Sequence, residues 1–241
     1  MCYNKSMNNF TPLSIAILSM LIIASLYLIP GVFALFYHYA SGKYSAKKVG
    51  DLSIFFILGA ETLPALILIM INSIIYALSF MNLDLKNNIF LWTTVGLLFA
   101  LGIAFFCFYF RRGNGTRLFI TRKTASNFEN KASLVKTNSD AFVLGLTSGI
   151  PELIFTFPLY LIVFIEITRY YIFSISCSFI FILFIFLTIT PLFFVYTYFK
   201  IGNNLANYLR KRASNKTFFR FFVPILYFIL ALLIIFFRII V

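Results

Sequence analysis

The sequence predicts an all-α membrane protein of six transmembrane helices, built as two inverted three-helix repeats. Three observations predict it. The chain of 241 residues is 61% hydrophobic and 11% charged, a balance that belongs to membrane proteins and not to soluble domains. Its apolar residues fall into six runs, each long enough to cross a hydrocarbon core of about 30 Å, which takes roughly 20 residues. Its Lys and Arg crowd into every second connection, which sets an orientation.

The runs lie near 11–37, 52–80, 89–110, 141–165, 170–199 and 218–241. The first follows Lys5 and contains Val32-Phe33-Ala34, which resembles a signal-peptide cleavage site. Its apolar stretch is long for a signal, and the charge pattern favours the opposite orientation, so it is read as a span. The connection after it carries Lys43, Lys47 and Lys48. The third connection carries seven basic residues from Arg111 to Lys136, and the fifth six from Lys200 to Arg220. Only Lys5, Lys86, Arg169 and Arg238 fall on the other side. The positive-inside rule then places both termini outside and the odd connections in the cytoplasm, as in a multi-pass protein of a bacterial or archaeal cytoplasmic (inner) membrane. The net charge of +13 is thereby assigned to orientation, and no nucleic-acid partner is expected.

Residues 111–140 are the one long polar stretch, expected as a flexible basic cytoplasmic linker with room for a short surface helix. They separate a first three-helix half, 1–110, from a second, 141–241. An odd number of spans per half gives the halves opposite orientation, the arithmetic of inverted repeats in secondary transporters. Short echoes agree: Ile29-Pro30-Gly31 with Ile150-Pro151-Glu152, and Thr62-Leu63-Pro64 with Thr190-Pro191. Spans three and six lack this pattern and are expected as scaffold.

Polar residues inside the apolar runs carry the chemistry. The stretch Phe142–Phe157 holds Thr147, Ser148, Gly149, Pro151 and Glu152, and the second span holds Glu61, Thr62 and Pro64. Proline removes a backbone donor and frees a carbonyl one turn back. Hydrocarbon offers no water to that carbonyl, so a break survives only against protein or a wet cavity. Pro30 with Gly31, Pro64, Pro151 and Pro191 are therefore expected as helix breaks around a site. Glu61 and Glu152 each lie about ten residues inside a span, roughly 15 Å deep at 1.5 Å per residue. No Lys or Arg in the apolar runs neutralises them. Such a group holds a proton or faces a cavity and meets a cation. Glu61, Thr62, Thr147, Ser148 and Glu152 are thus the expected substrate- or ion-binding residues. Asn72 reads as a helix–helix hydrogen bond, and His38, between Tyr37 and Tyr39, as an interfacial residue.

No GxSxG, HExxH or phosphate-loop motif occurs, and Cys2, Cys107 and Cys177 form no CxxC pair. An enzyme, a metal site, a cofactor and a disulfide framework are not expected.

The motifs support two resemblances. Pro30-Gly31, then Lys47-Lys48-Val49-Gly50, then Ala60-Glu61, with Phe142 and Gly145 in the fourth span, resemble the LysE-type amino-acid exporter superfamily. There Ala60-Glu61 takes the place of Gly-Asp, and Ile150-Pro151-Glu152 that of Asn-Pro-Lys. The resemblance covers nearly the whole layout and implies export of a small solute driven by a proton or ion gradient. More locally, Thr147-Ser148-Gly149-Ile150-Pro151-Glu152 is similar to the cation/calcium exchanger repeat, in which Thr-Ser-x-x-Pro-Glu coordinates an ion.

The expected function is a secondary transporter exporting a small amino acid, amine or cation by proton-coupled alternating access, with a homodimer as its assembly. The alternatives are a cation-exchanger-like protein and a non-transporting membrane subunit that holds a partner through its basic loops.

Overall fold

A computed structural model describes residues 14–20, 22–23, 29–80, 88–109, 122–153, 156–163, 175–202 and 204–236. Every regular element among them is helical. The labelled helices are α1 (Ile29–Ser41), α2 (Ala46–Phe80), α3 (Asn88–Ala104), α4 (Arg122–Leu134), α5 (Asn138–Ser148), α6 (Ile175–Lys200), α7 (Leu205–Ser214) and α8 (Lys216–Ile234). A π-helical turn, Phe105–Tyr109, continues α3, and a 3-10 turn, Ile150–Glu152, follows α5. Helical residues also occur at 14–20 and 156–163.

Of the six expected spans, one helix among the described residues is long and apolar enough to cross a membrane, over Ala46–Ile71. Shorter apolar helices occupy Trp92–Cys107, Phe184–Lys200 and Arg220–Ile234. In the fourth run an α-helix gives way to a 3-10 turn at Ile150–Glu152.

The expected breaks divide into two kinds. Helix α2 runs unbroken through Pro64 and α6 through Pro191, which corrects the expectation of a break at either. Each proline withholds one N–H from the carbonyl four residues back, at a cost of about 3 kcal/mol, and the helix continues past it. Pro64 is buried and Pro191 half-buried. Pro30 and Gly31 are buried in the first turn of α1, directly after residues that lie outside the described ones. Pro151 stands at a discontinuity, in the 3-10 turn after α5.

Hydroxyl residues on these helices are satisfied locally. Ser53 donates to the Val49 carbonyl (2.7 Å), Ser73 to Ile69 (3.0 Å) and Thr190 to Phe186 (2.6 Å). This back-bonding lets a hydroxyl sit in an apolar helix without an outside partner.

Helices α1 and α2 form a hairpin closed by residues 42–45, where the Lys43 and Tyr44 amides both donate to the Ala40 carbonyl. Phe33 and Phe36 of α1 meet Phe56 of α2, with ring centroids 5.1 and 5.3 Å apart. The dominant packing joins the halves. Helix α2 lies along α5, α1 along α6, and α3 with its π-turn along α8. At the α2–α5 crossing the backbones touch. A β-carbon on Gly59 would strike the Phe142 carbonyl, and one on Gly145 the Phe56 carbonyl. Small residues permit this approach, and Gly145-x-x-x-Gly149 is the sequence pattern that announces it.

The stretch expected as a loose linker contains α4, which docks its Phe128 and Ala132 into the core and packs on α1 and α5. The Tyr39 hydroxyl donates to Glu129 Oε1 (2.9 Å) and the Tyr44 hydroxyl to the Val135 carbonyl (3.1 Å). Its amphipathic pattern dictates this: alternating polar residues leave one apolar stripe to bury. Helix α6 stops at Gly202, whose φ of 92° suits the left-handed residue that commonly follows a helix end. Asn204 then caps α7 by accepting from the Ala206 amide (2.9 Å).

Candidate functional site

The site is built around Glu61, near the middle of the 35-residue α2. The Thr188 hydroxyl, on α6 of the other half, lies 2.6 Å from Glu61 Oε2. Thr188 is fully buried. The second carboxyl oxygen, Glu61 Oε1, is buried and has no hydrogen-bond partner among the described residues. A carboxylate accepts at both oxygens, and a buried acceptor left unmet is costly. Glu61 is therefore half-satisfied: one oxygen is held by the Thr188 hydroxyl and the other is buried with no partner among the described residues.

One turn further along α2, Pro64 and Leu63 line a small cavity with Ile23, Ile29, Gly149, Leu153, Thr156 and Tyr160. The cavity is small, with room for about one water molecule. Here the proline of the second predicted span and the break in the fourth come together. A β-carbon on Gly149 would crowd Leu63 at 2.7 Å, so glycine sets the closeness of the two walls.

The other expected binding residues behave differently. Thr62 donates to the Leu58 carbonyl (2.7 Å), Thr147 to Val143 (2.8 Å) and Ser148 to Gly145 (2.6 Å). Each hydroxyl hydrogen is committed to its own helix, and what remains for a ligand is oxygen lone pairs. The backbone of Glu152 lies in the 3-10 turn, while its side chain lies outside the described residues, as does that of Asn72. His38 is exposed near the end of α1. Among the described residues no group of three or more His, Cys, Asp or Glu could hold a metal ion.

Sequence reasoning missed Thr188. Its signal was present: Glu61 stands three residues before Pro64, and Thr188 three residues before Pro191. Matching the halves on threonine, as Thr62-Leu63-Pro64 against Thr190-Pro191, hides that register. Matching them on proline reveals it.

No protein-family model, curated protein or solved structure matches the chain. The fold and the site thus define a class only: an all-helical chain with a buried, half-coordinated carboxyl group held between its two halves.

Proposed function

We propose that this chain is a six-span secondary transporter of the cytoplasmic membrane, made of two inverted three-helix halves, which exports a small amino acid, amine or cation. The site is Glu61, and the single observation that carries the proposal is its carboxyl group, bonded across the halves at one oxygen and unpartnered among the described residues at the other.

Two further observations support it. Large apolar side chains point outward in helical stripes: Ile54, Leu58, Ile69 and Met70 on α2, Ile182, Ile185, Phe186 and Phe193 on α6, and Phe218, Phe221, Ile225 and Ile229 on α8. A soluble monomer rarely exposes such continuous apolar surface, whereas lipid accepts it. The helix pairings between the halves also map onto one another when α1 exchanges with α5, α2 with α6 and α3 with α8. Under that exchange α2–α5 becomes α6–α1, and both pairs are in contact. Internal two-fold repeats produce this closure, and transporters of this architecture bind at the repeat interface near mid-depth.

The test uses the full chain reconstituted in lipid vesicles. Efflux of radiolabelled lysine, alanine and putrescine is followed under an imposed pH gradient, with proton flux read by an internal dye. Solute efflux coupled to proton movement is expected, and Glu61→Gln is expected to remove the coupled flux. Wild-type flux from Glu61→Gln would sink the carboxyl mechanism. Absence of all flux, with a protein partner retained through the basic loops, would favour a non-transporting subunit.

A further inference from the structure

Glu61 and Thr188 are more than neighbours. With the two stretches of sequence aligned on Pro64 and Pro191, the two residues fall at the same offset, each three before its proline. In a two-fold arrangement a residue touches its own equivalent only at the axis. On the inverted-repeat reading proposed above, the 2.6 Å contact between them falls where the axis relating the halves would pass. A group on that axis is equally related to both halves.

The Thr188 hydroxyl has one hydrogen and three acceptors within reach: Glu61 Oε2 at 2.6 Å, the Ile185 carbonyl at 2.9 Å and the Phe184 carbonyl at 3.2 Å. It can give that hydrogen to only one of them at a time. Two arrangements follow. With Glu61 ionised, the hydroxyl points at Oε2. With Glu61 protonated on Oε2, the acid donates to the Thr188 oxygen, and the hydroxyl hydrogen turns to the Ile185 carbonyl. Both arrangements keep the hydroxyl satisfied, and they differ only by rotation about one side-chain bond.

We propose that Thr188 is the positioning residue for a proton on Glu61, a rotor on the axis between the halves that accepts either protonation state of the carboxyl without movement of the backbone. This rests on the transport reading above and names its coupling ion. The step is a single proton transfer: a proton arrives at the carboxylate, an O–H bond forms at Oε2, and the same bond breaks on release. The charged and titratable side chains of the helices packed on α2 stand toward their solvent ends. They are Asp140 on α5, Tyr37, His38 and Tyr39 on α1, and Tyr196, Tyr198 and Lys200 on α6. Tyr160 borders the neighbouring cavity, and on α2 itself Lys47, Lys48 and Asp51 lie in the exposed first turns.

Infrared difference spectra of the full chain in lipid vesicles, taken between acid and alkaline pH, test the proposal. A carboxylic C=O band is expected that Glu61→Gln removes. Thr188→Val should move it to the higher frequency of an acid without a hydrogen-bonded partner, and Thr188→Ser should restore it. Thr188→Ala serves where the valine variant does not fold. A spectrum unchanged by Glu61→Gln, or a band unmoved in the valine or alanine variant, would overturn the proposal. The measurement needs no solute. A band that behaves as described in a protein without flux defeats the transport reading alone, and coupled flux without the band defeats the proton rotor alone.

Discussion

The two contacts that the proposed repeat would exchange, α2–α5 and α1–α6, are built from opposite materials. Helices α2 and α5 meet backbone to backbone, with Gly59, Ala60 and Gly145 leaving no room for side chains. Helices α1 and α6 meet through rings: Tyr37 lies over Phe199 at 5.5 Å and edge-on to Tyr196 at 6.0 Å, and Tyr208 of α7 extends the cluster to Phe199 at 5.7 Å. A glycine crossing gains many close atomic contacts and has one tight geometry. An aromatic contact gains less per ring and tolerates sliding. Of two contacts occupying corresponding places, the first is thus rigid and the second adjustable. The proposed alternating access would use that difference: one joint that holds and one that gives.

The comparison breaks most directly at Gly145. Gly145→Ala drives a β-carbon into the Phe56 backbone, which cannot move aside as a flexible side chain would. We expect destabilisation of about 3 kcal/mol, the upper end of the overpacking range, read as a fall in the melting temperature of detergent-solubilised protein. A wild-type melt would show that α2 and α5 do not cross at this residue. Tyr37→Ala comes next. It removes two ring contacts at the adjustable joint and should cost about 1–2 kcal/mol while leaving the protein folded. An effect as large as that of Gly145→Ala would erase the distinction between the joints. Gly96 supplies the control, because a β-carbon there meets nothing within 4 Å. Gly96→Ala on α3 should therefore stabilise slightly, by up to about 1 kcal/mol from helix propensity, and a loss there would mean that α3 packs against something further.

The smallest effect concerns the start of α5, one turn before the crossing. Thr137 caps the helix, its hydroxyl accepting from the Asp140 amide (3.2 Å), while Asp140 Oδ2 accepts from the Thr137 amide (2.9 Å). That reciprocal pair is a capping box. The backbone N–H of Thr137, and after it that of Lys136, hold the Asp140 carboxyl below its ordinary value of 3.8. A carboxylate with a lowered folded-state value contributes stability that is present above 3.8 and is lost as the pH falls through the folded value. Wild type should exceed Asp140→Asn slightly at neutral pH, and the two should converge in strong acid. Parallel stability curves at all pH values would show the box to be unformed.

Much of the helix content was legible from apolar runs alone, because a run of about 20 residues with few charges has no other stable form. The ends were less so: α2 begins at Ala46, ahead of the expected 52, because Lys47, Lys48 and Asp51 reach water from its exposed first turns. The amphipathic helix in the linker was foreseen as a possibility of the loop but not as a docked element, since its partner surface on α1 and α5 exists only in the folded chain. At the site, Glu61 was legible as a carboxylate with no local neutralising partner. Thr188 was not, because a threonine in an apolar helix ordinarily bonds its own backbone, and nothing local marks the one that also reaches a carboxylate.

By itself the sequence determined that this chain is helical and that Glu61 stands alone among apolar neighbours, since both follow from residues close together along the chain. The folded arrangement alone decided which prolines interrupt a helix, which glycines set the α2–α5 distance and which hydroxyl meets the carboxyl group. Each of those depends on what a second helix, far away in the sequence, places within a few ångströms.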